Sequence, residues 1–238
     1  MANDPASLSG KVLVVGGASG HLGGALVRHA LEHGARVAIA VRKEWQVEKV
    51  RAEFGTKSTL VGCVPDVDGE AAAGFWKGAN DALGPVDAVF CCNGAFAASA
   101  IGRDAGDELQ RLMTANLFAV ANLVRAGIAA LKRRGKGSIV CVGSSGVGSH
   151  GQNVVNYLAS KAALHEWVRA LAAELAGTGV RAAAILPGTI DTESNRAAMP
   201  DVDRSQWLPL EVVVKAMTDA AFAPASPGPL YPVTASRA

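Results

Sequence analysis

VLVVGGASGHLGGALVRHALEHGARVAIAVRK, residues 12–43, decides the architecture of this chain. An apolar β-branched run, Val12–Val15, enters a glycine-rich turn, an amphipathic segment at Leu22–His33, and a second apolar run at Arg36–Val41. Neither apolar run alternates with polar residues, so each reads as a strand covered on both faces. A strand, a helix and a second buried strand within this length make a parallel βαβ unit.

Outward from that unit the alternation continues. Further strands are expected at Thr59–Val64, Ala88–Cys92, Gly137–Val142, Val180–Leu186 and Pro229–Val233, and long helices at Ala105–Arg134 and Gln152–Ala176. The pattern predicts an α/β fold: a doubly wound sheet of about seven parallel strands with helices on both faces. No Pro/Ser-rich linker or internal repeat divides the chain, so residues 1–9 read as a tail and 10–238 as a single domain. Half of the 238 residues are hydrophobic and 18% are charged, enough for one large core. A net charge of +2 with scattered basic residues argues against nucleic acid. Lys132, Arg133 and Arg134 fall at an expected helix end, where cations offset the helix dipole.

The polar N-terminus has no secretory h-region, and no uninterrupted apolar run suggests a membrane span. Cys63, Cys91, Cys92 and Cys141 lie in strand-like runs and read as reduced thiols of a cytoplasmic protein. Their spacing suggests no metal site.

In such a sheet, ligands bind at the carboxyl ends of the strands. Every candidate functional residue should therefore follow a strand, except those on the helix that carries Tyr157. After the first strand, GGASGHLG at 16–23 offers a tight turn and main-chain N–H groups for a pyrophosphate, with Gly17, Ser19, Gly20, His21, Leu22 and Gly23 as contacts. After the second come Val41 and Arg42, where an NAD site would present a carboxylate. Arg42 suits a 2′-phosphate instead, so NADP(H) is expected, with NAD(H) second. Asp66, followed by Val67, is placed to meet the adenine amino group or to cap the next helix. Asn93 and Gly94 supply small groups where the main chain passes the cofactor.

The chemistry reads from NVVNYLASKAAL, residues 153–164. Tyr157 and Lys161 share one helix face, and a nearby ammonium lowers a phenol's pKa towards use as a general acid–base. Ser144 lies 13 positions upstream. His21, His150 and His165 are taken as solvated or packed side chains.

GGASGHLG, PDV at 65–67, CNGA at 92–95, TANLFA at 114–119, VGSSG at 142–146, YLASK at 157–161 and PGTIDT at 187–192 occur in the order of the short-chain dehydrogenase/reductases, which the chain resembles from residue 10 to about 234. The resemblance implies a Rossmann fold. It also implies an oxidoreductase moving hydride between NADP(H) and a carbonyl or alcohol. Tyr157 would be the proton donor, Ser144 the hydrogen-bond partner of the substrate oxygen, and Lys161 the ribose holder. Asn116 would hold a relay water, and Pro187, Gly188, Ile190 and Thr192 would line the nicotinamide. A homodimer or homotetramer built on the two long helices is implied as well. Three places depart from the family pattern: Gly16 replaces a threonine, His21 a glycine, and Cys91-Cys92-Asn93-Gly94 the usual Asn-Asn-Ala-Gly. Gly17, Gly20 and Gly23 then form a GxxGxxG register.

LPGTIDTESNRAAMPDVDRSQWLPLE, residues 186–211, resembles quinonoid dihydropteridine reductases and is expected to form the substrate lid at about 188–211. Those enzymes typically use NADH and lack the serine and asparagine kept here as Ser144 and Asn116. A carbonyl or alcohol substrate is therefore the first expectation and a dihydropterin the second. A non-catalytic dinucleotide sensor on the same fold is the alternative of another class. Within the lid, Trp207 and Met199 are read as touching substrate or, by preference, capping the core, and Arg196 as binding an acidic substrate or pairing with Asp191 or Asp201.

Overall fold

The computed structural model describes residues 7–103, 106–149, 151–224 and 228–234. His150, most of the N-terminal tail and the expected helix start at Ala105 lie outside them. Seven strands, β1 (Val12–Gly16), β2 (Arg36–Val41), β3 (Thr59–Cys63), β4 (Ala88–Cys91), β5 (Gly137–Val142), β6 (Val180–Leu186) and β7 (Leu230–Pro232), form one sheet. Its order is β3-β2-β1-β4-β5-β6-β7, and every pair is parallel.

Helices α1 (His21–Glu32), α2 (Glu44–Phe54) and α8 (Leu210–Phe222) cover one face, burying Leu13, Val15, Ile39 and Phe90. On the other, α3 (Gly69–Leu83), α5 (Ala119–Arg134) and α6 (Val155–Glu174) bury Val12, Val14, Val89 and Cys141. Adjacent residues of each strand thus enter opposite cores, which is why the strands show no polar alternation.

The expected helix 105–134 is broken. It consists of α4 (Glu108–Met113), a π-helical turn (Thr114–Phe118) and α5. The stretch Glu108–Arg134 is long and apolar enough to cross a membrane, against the sequence expectation. Here it packs as a core element: Trp76 of α3 lies where any side chain on Gly127 would be, and its indole N–H donates to the Leu123 carbonyl at 2.8 Å. α6 begins at Val155 rather than residue 152, because Asn153 adopts a left-handed conformation at φ 59° that a helix does not accept.

From β1 the chain winds outward to β2 and β3, then returns to β4 on the other side of β1. This reversal opens a crevice at the carboxyl ends of β1 and β4, the binding place of doubly wound sheets.

Candidate active site and dinucleotide cleft

One wall of the crevice is the turn between β1 and α1. Gly17, at φ +79°, lies so close to β4 that a Cβ would sit 2.6 Å from the Cys92 carbonyl carbon. A Cβ on Gly23 would meet the Gly17 oxygen at 2.4 Å, so α1 leaves the turn only because residue 23 is glycine. Gly20 has room for a side chain on its protein side, its nearest neighbour being 3.5 Å away. The His21 backbone opens α1, while its ring reaches Ser194 Oγ at 2.8 Å.

At the end of β2, Arg42 pairs with Asp66 at 3.3 Å. Gln46 accepts from the main-chain N–H groups of Arg42 and Lys43 at 3.2 and 3.0 Å and donates to Ser19 Oγ at 3.0 Å. Ser19, Arg42, Lys43 and Gln46 thus form one polar corner, in which Asp66 pairs with Arg42 and the Glu44 carboxylate lies against Cys63 at the end of β3. Asp66 does not cap α3; Asp68 does, accepting from Ala71 N–H at 2.9 Å, because the cap must directly precede the first turn. Val67 is exposed beside it.

Among the described residues, two buried side-chain oxygens lack any hydrogen-bond partner: Asp66 Oδ1 and Asn93 Oδ1. A buried polar atom left unpaired costs about 1–3 kcal/mol, so it calls for a ligand. Asp66 is expected to face a dinucleotide and, with the glycine turn and the Arg42 corner, fits the group; Asn93 Oδ1 instead fills the side-chain space of Gly16.

Deeper in, the proton-handling side chains converge on the end of β5. Lys161 is buried and its Nζ donates to the Val142 carbonyl at 2.9 Å. Burial pulls its pKa down to about 8, against the opposing pull of Cys141 and Cys92. Burial pushes the Cys92 thiol up to about 12, so it stays protonated. Burial likewise raises the Tyr157 phenol above its ordinary value, and the hydrogen bond with Ser144 works in the opposite direction. The sequence expectation that Lys161 would lower it is corrected: the ammonium is engaged by Val142, and desolvation of the phenolate dominates. Ser144 Oγ accepts from Gly146 N–H at 3.1 Å, leaving its own proton to point elsewhere.

Asn116 sits in the π-helical turn and not after a strand, a second correction. The widened turn brings its amide to Ala95, whose N–H it accepts at 2.9 Å, and to Ser160 Oγ, to which it donates at 2.8 Å. A Cβ on Gly94 would meet Asn116 Oδ1 at 3.0 Å and Lys161 Nζ at 3.4 Å, so this glycine lets both approach.

Over the cleft, Pro187 and Gly188 leave β6 beside Ser145, and Ile190 bridges to Leu208. Thr192 caps the short helix α7 (Glu193–Ala198), accepting from Asn195 N–H at 3.2 Å. Arg196 grips Asp191 through two bonds of 2.6 and 2.7 Å, and Trp207 is buried, while Met199 is half-buried.

The profile described as short chain dehydrogenase matches residues 11–203. The chain belongs to this family. Among its relatives, the glycine betaine reductase ATRR of Emericella nidulans is 31% identical over 188 residues, which are 78% of this chain but only 15% of that protein. A vibriobactin-specific 2,3-dihydro-2,3-dihydroxybenzoate dehydrogenase of Vibrio cholerae is 29% identical over 198 residues, 79% of this chain and 73% of that one. A 3-ketoacyl-(acyl-carrier-protein) reductase from Brucella melitensis, solved with NADH, shares the fold with a TM-score of 0.81 over 95% of this chain and 98% of that one, at 22% identity. As a short-chain dehydrogenase the chain is an oxidoreductase of the nicotinamide dinucleotide class.

Three residues of this site escape a motif reading. Gln46 organises the β2 corner, and its signal was its place three residues after the helix cap Lys43. Phe96 packs edge-on against Tyr157 at 4.8 Å while 66% exposed. His165 accepts the Ser144 N–H at 3.2 Å, and its signal was the four-residue spacing 157, 161, 165.

Proposed function

We propose that this short-chain dehydrogenase is an NADP(H)-dependent reductase of carbonyl compounds, running in reverse on the corresponding alcohols. The observation that carries the reading is Tyr157 one helical turn before buried Lys161, whose Nζ donates to the Val142 carbonyl at 2.9 Å where β5 runs on to Ser144, at the crevice beside β1 and β4. When bound, the dinucleotide supplies the hydride that reaches the carbonyl carbon. Tyr157 gives its proton to the carbonyl oxygen, so hydride and proton together make the alcohol. The Ser144 hydroxyl donates a hydrogen bond to that oxygen as its negative charge develops. Lys161, whose pKa of about 8 keeps it largely cationic at neutral pH, holds the ribose. Asn116 fixes the Gly94–Ala95 turn beneath it.

Arg42, Lys43 and Ser19 would take the 2′-phosphate, with Gln46 holding the corner in shape. Asp66 Oδ1 would accept from the adenine amino group. The segment 188–211 acts as the lid, and the exposed ring of Phe96 gives the substrate mouth an apolar wall. A homo-oligomer packed through the α4–α6 faces would cover Leu109, Phe118 and Val155, which stand exposed on this chain.

A second reading, a quinonoid dihydropteridine reductase, rests on the lid residues Asp191, Arg196, Met199 and Trp207. NADPH and NADH oxidation, measured with ketones, aldehydes, quinones and quinonoid dihydropterin, separates the two. With a carbonyl substrate, Tyr157→Phe should lose at least about 100-fold in kcat. Arg42→Ala should raise the KM for NADPH roughly tenfold and leave that for NADH unchanged. Preference for the dihydropterin promotes the second reading. Tight NADPH binding without turnover of any compound points to a sensor.

A further inference from the structure

His165 is used by none of the steps above, yet it is buried at 4% exposure beside all of them. It lies one turn beyond Lys161 on α6 and faces the same end of β5. Two rungs join helix to strand there: Lys161 Nζ to the Val142 carbonyl at 2.9 Å, and Ser144 N–H to His165 Nε2 at 3.2 Å. The second rung exists only because residue 143 is glycine, since a Cβ there would lie 2.4 Å from Nε2.

A main-chain N–H is only a donor, so Nε2 must be the bare nitrogen and the ring the Nδ1–H tautomer. Protonating Nε2 would destroy the rung. We infer that His165 is a positioning residue for proton transfer: its neutral imidazole, by holding the Ser144 main chain, aims the Ser144 hydroxyl at Tyr157. Burial, and after it the charges of Lys161 and Arg169 a turn to either side on α6, drive its pKa down to about 4. From the end of β5 the ring meets Gly143 and Ser144, neither of them charged. The Ser144 bond lowers the Tyr157 pKa, so a loosened Ser144 lets that pKa rise.

This inference rests on the proposed roles of Tyr157 and Ser144, but its test does not need turnover. The chain has two tyrosines, so the phenolate absorbance lost in Tyr157→Phe identifies the Tyr157 titration. His165→Leu removes the acceptor, whereas His165→Gln keeps one at similar reach. The Tyr157 midpoint should rise both in His165→Leu and in Ser144→Ala and stay in place in His165→Gln. The double variant Ser144→Ala/His165→Leu should move no further than Ser144→Ala alone. Where a substrate is known, His165→Leu should lose on the order of tenfold in kcat, with the KM for NADPH unchanged. An unmoved midpoint in folded His165→Leu, or shifts that simply add in the double variant, would overturn the inference. Nitrogen-15 shifts of the wild-type ring give a reading that needs no variant: a neutral Nδ1–H ring at about pH 6 is expected. An Nε2–H or charged ring there would overturn it as well. A chain that turns over no carbonyl compound but shows the coupled titration loses the proposed function and keeps the His165 inference.

Discussion

Gly16 and Asn93 are separated by 77 positions, yet they are two halves of one exchange. A Cβ on Gly16 would lie 2.2 Å from Asn93 Oδ1 and 2.9 Å from a Leu123 methyl, so the asparagine amide occupies the space of a side chain at residue 16. Each stands out in the sequence as a departure from the family pattern, but their contact is made by β1 lying beside β4 and is not legible locally. Gly16→Ala should therefore destabilise the fold by about 1–3 kcal/mol through overpacking. In an Asn93→Ala background much of that cost should vanish, because the clash partner is gone. Urea midpoints of the four chains of this cycle check the point, and strict additivity would show that the two sites are independent. The same logic explains what else was readable residue by residue. Tyr157, Lys161 and Ser144 are close in sequence and lie at one strand end and one helix face. Asn116 and Asn93 depend on which loops the fold brings together.

At the scale of elements, the strands were legible to within a residue or two because both-face burial leaves them uniformly apolar, and α6 was legible from its long alanine-rich run, to within three residues at either end. The π-helical turn at Thr114–Phe118 was not, since it is sustained by the bonds of Asn116 to Ala95 and Ser160, which lie on other elements. Nor was the seat of the lid helix α7, with only six residues and no buried side chain among them. It is tied to the cleft by His21, the residue in place of a turn glycine, through the bond to Ser194. Both partners are exposed, so the bond is weak, and if the segment 188–211 acts as the proposed lid, this bond is its latch. Ser194→Ala and His21→Gly should each speed NADPH release, by roughly two- to fivefold for a bond of about 0.5–1 kcal/mol. Stopped-flow fluorescence of bound NADPH measures this directly. Equal release rates in both variants and wild type would show that the latch does not govern the lid.

For the molecule as a whole, the sheet gathers its buried ionisable groups at one end and leaves most of its ion pairs to solvent. Among the described residues the least exposed pair, Arg134 with Asp87, still shows side chains 24% and 18% exposed, and pairs of this kind add little. The acid response of the described residues at mild pH is then expected to come chiefly from His165. Its pKa of about 4 in the fold lies below the ordinary 6.5, so between those values the unfolded chain binds a proton that the native state refuses. The stability this represents is complete above 6.5 and drains away as pH falls towards 4. The gap corresponds to roughly 3 kcal/mol in total and about 2 kcal/mol by pH ~5. His29, also lowered by burial, adds in the same direction but is half-buried and contributes less. Glu108 and Asp191, lowered by their hydrogen bonds with Ser99 and Arg196, release their share only below the ordinary carboxylate values of 4.5 and 3.8. Lys161, depressed to about 8, changes stability only on the alkaline side. Urea unfolding at about pH 7.5 and about pH 5 thus isolates the histidine. Wild type should lose stability over this interval, and His165→Gln, with nothing to protonate, should lose much less. Equal losses in the two chains would place the titrating group elsewhere and remove the neutral, buried imidazole on which the Ser144 rung depends.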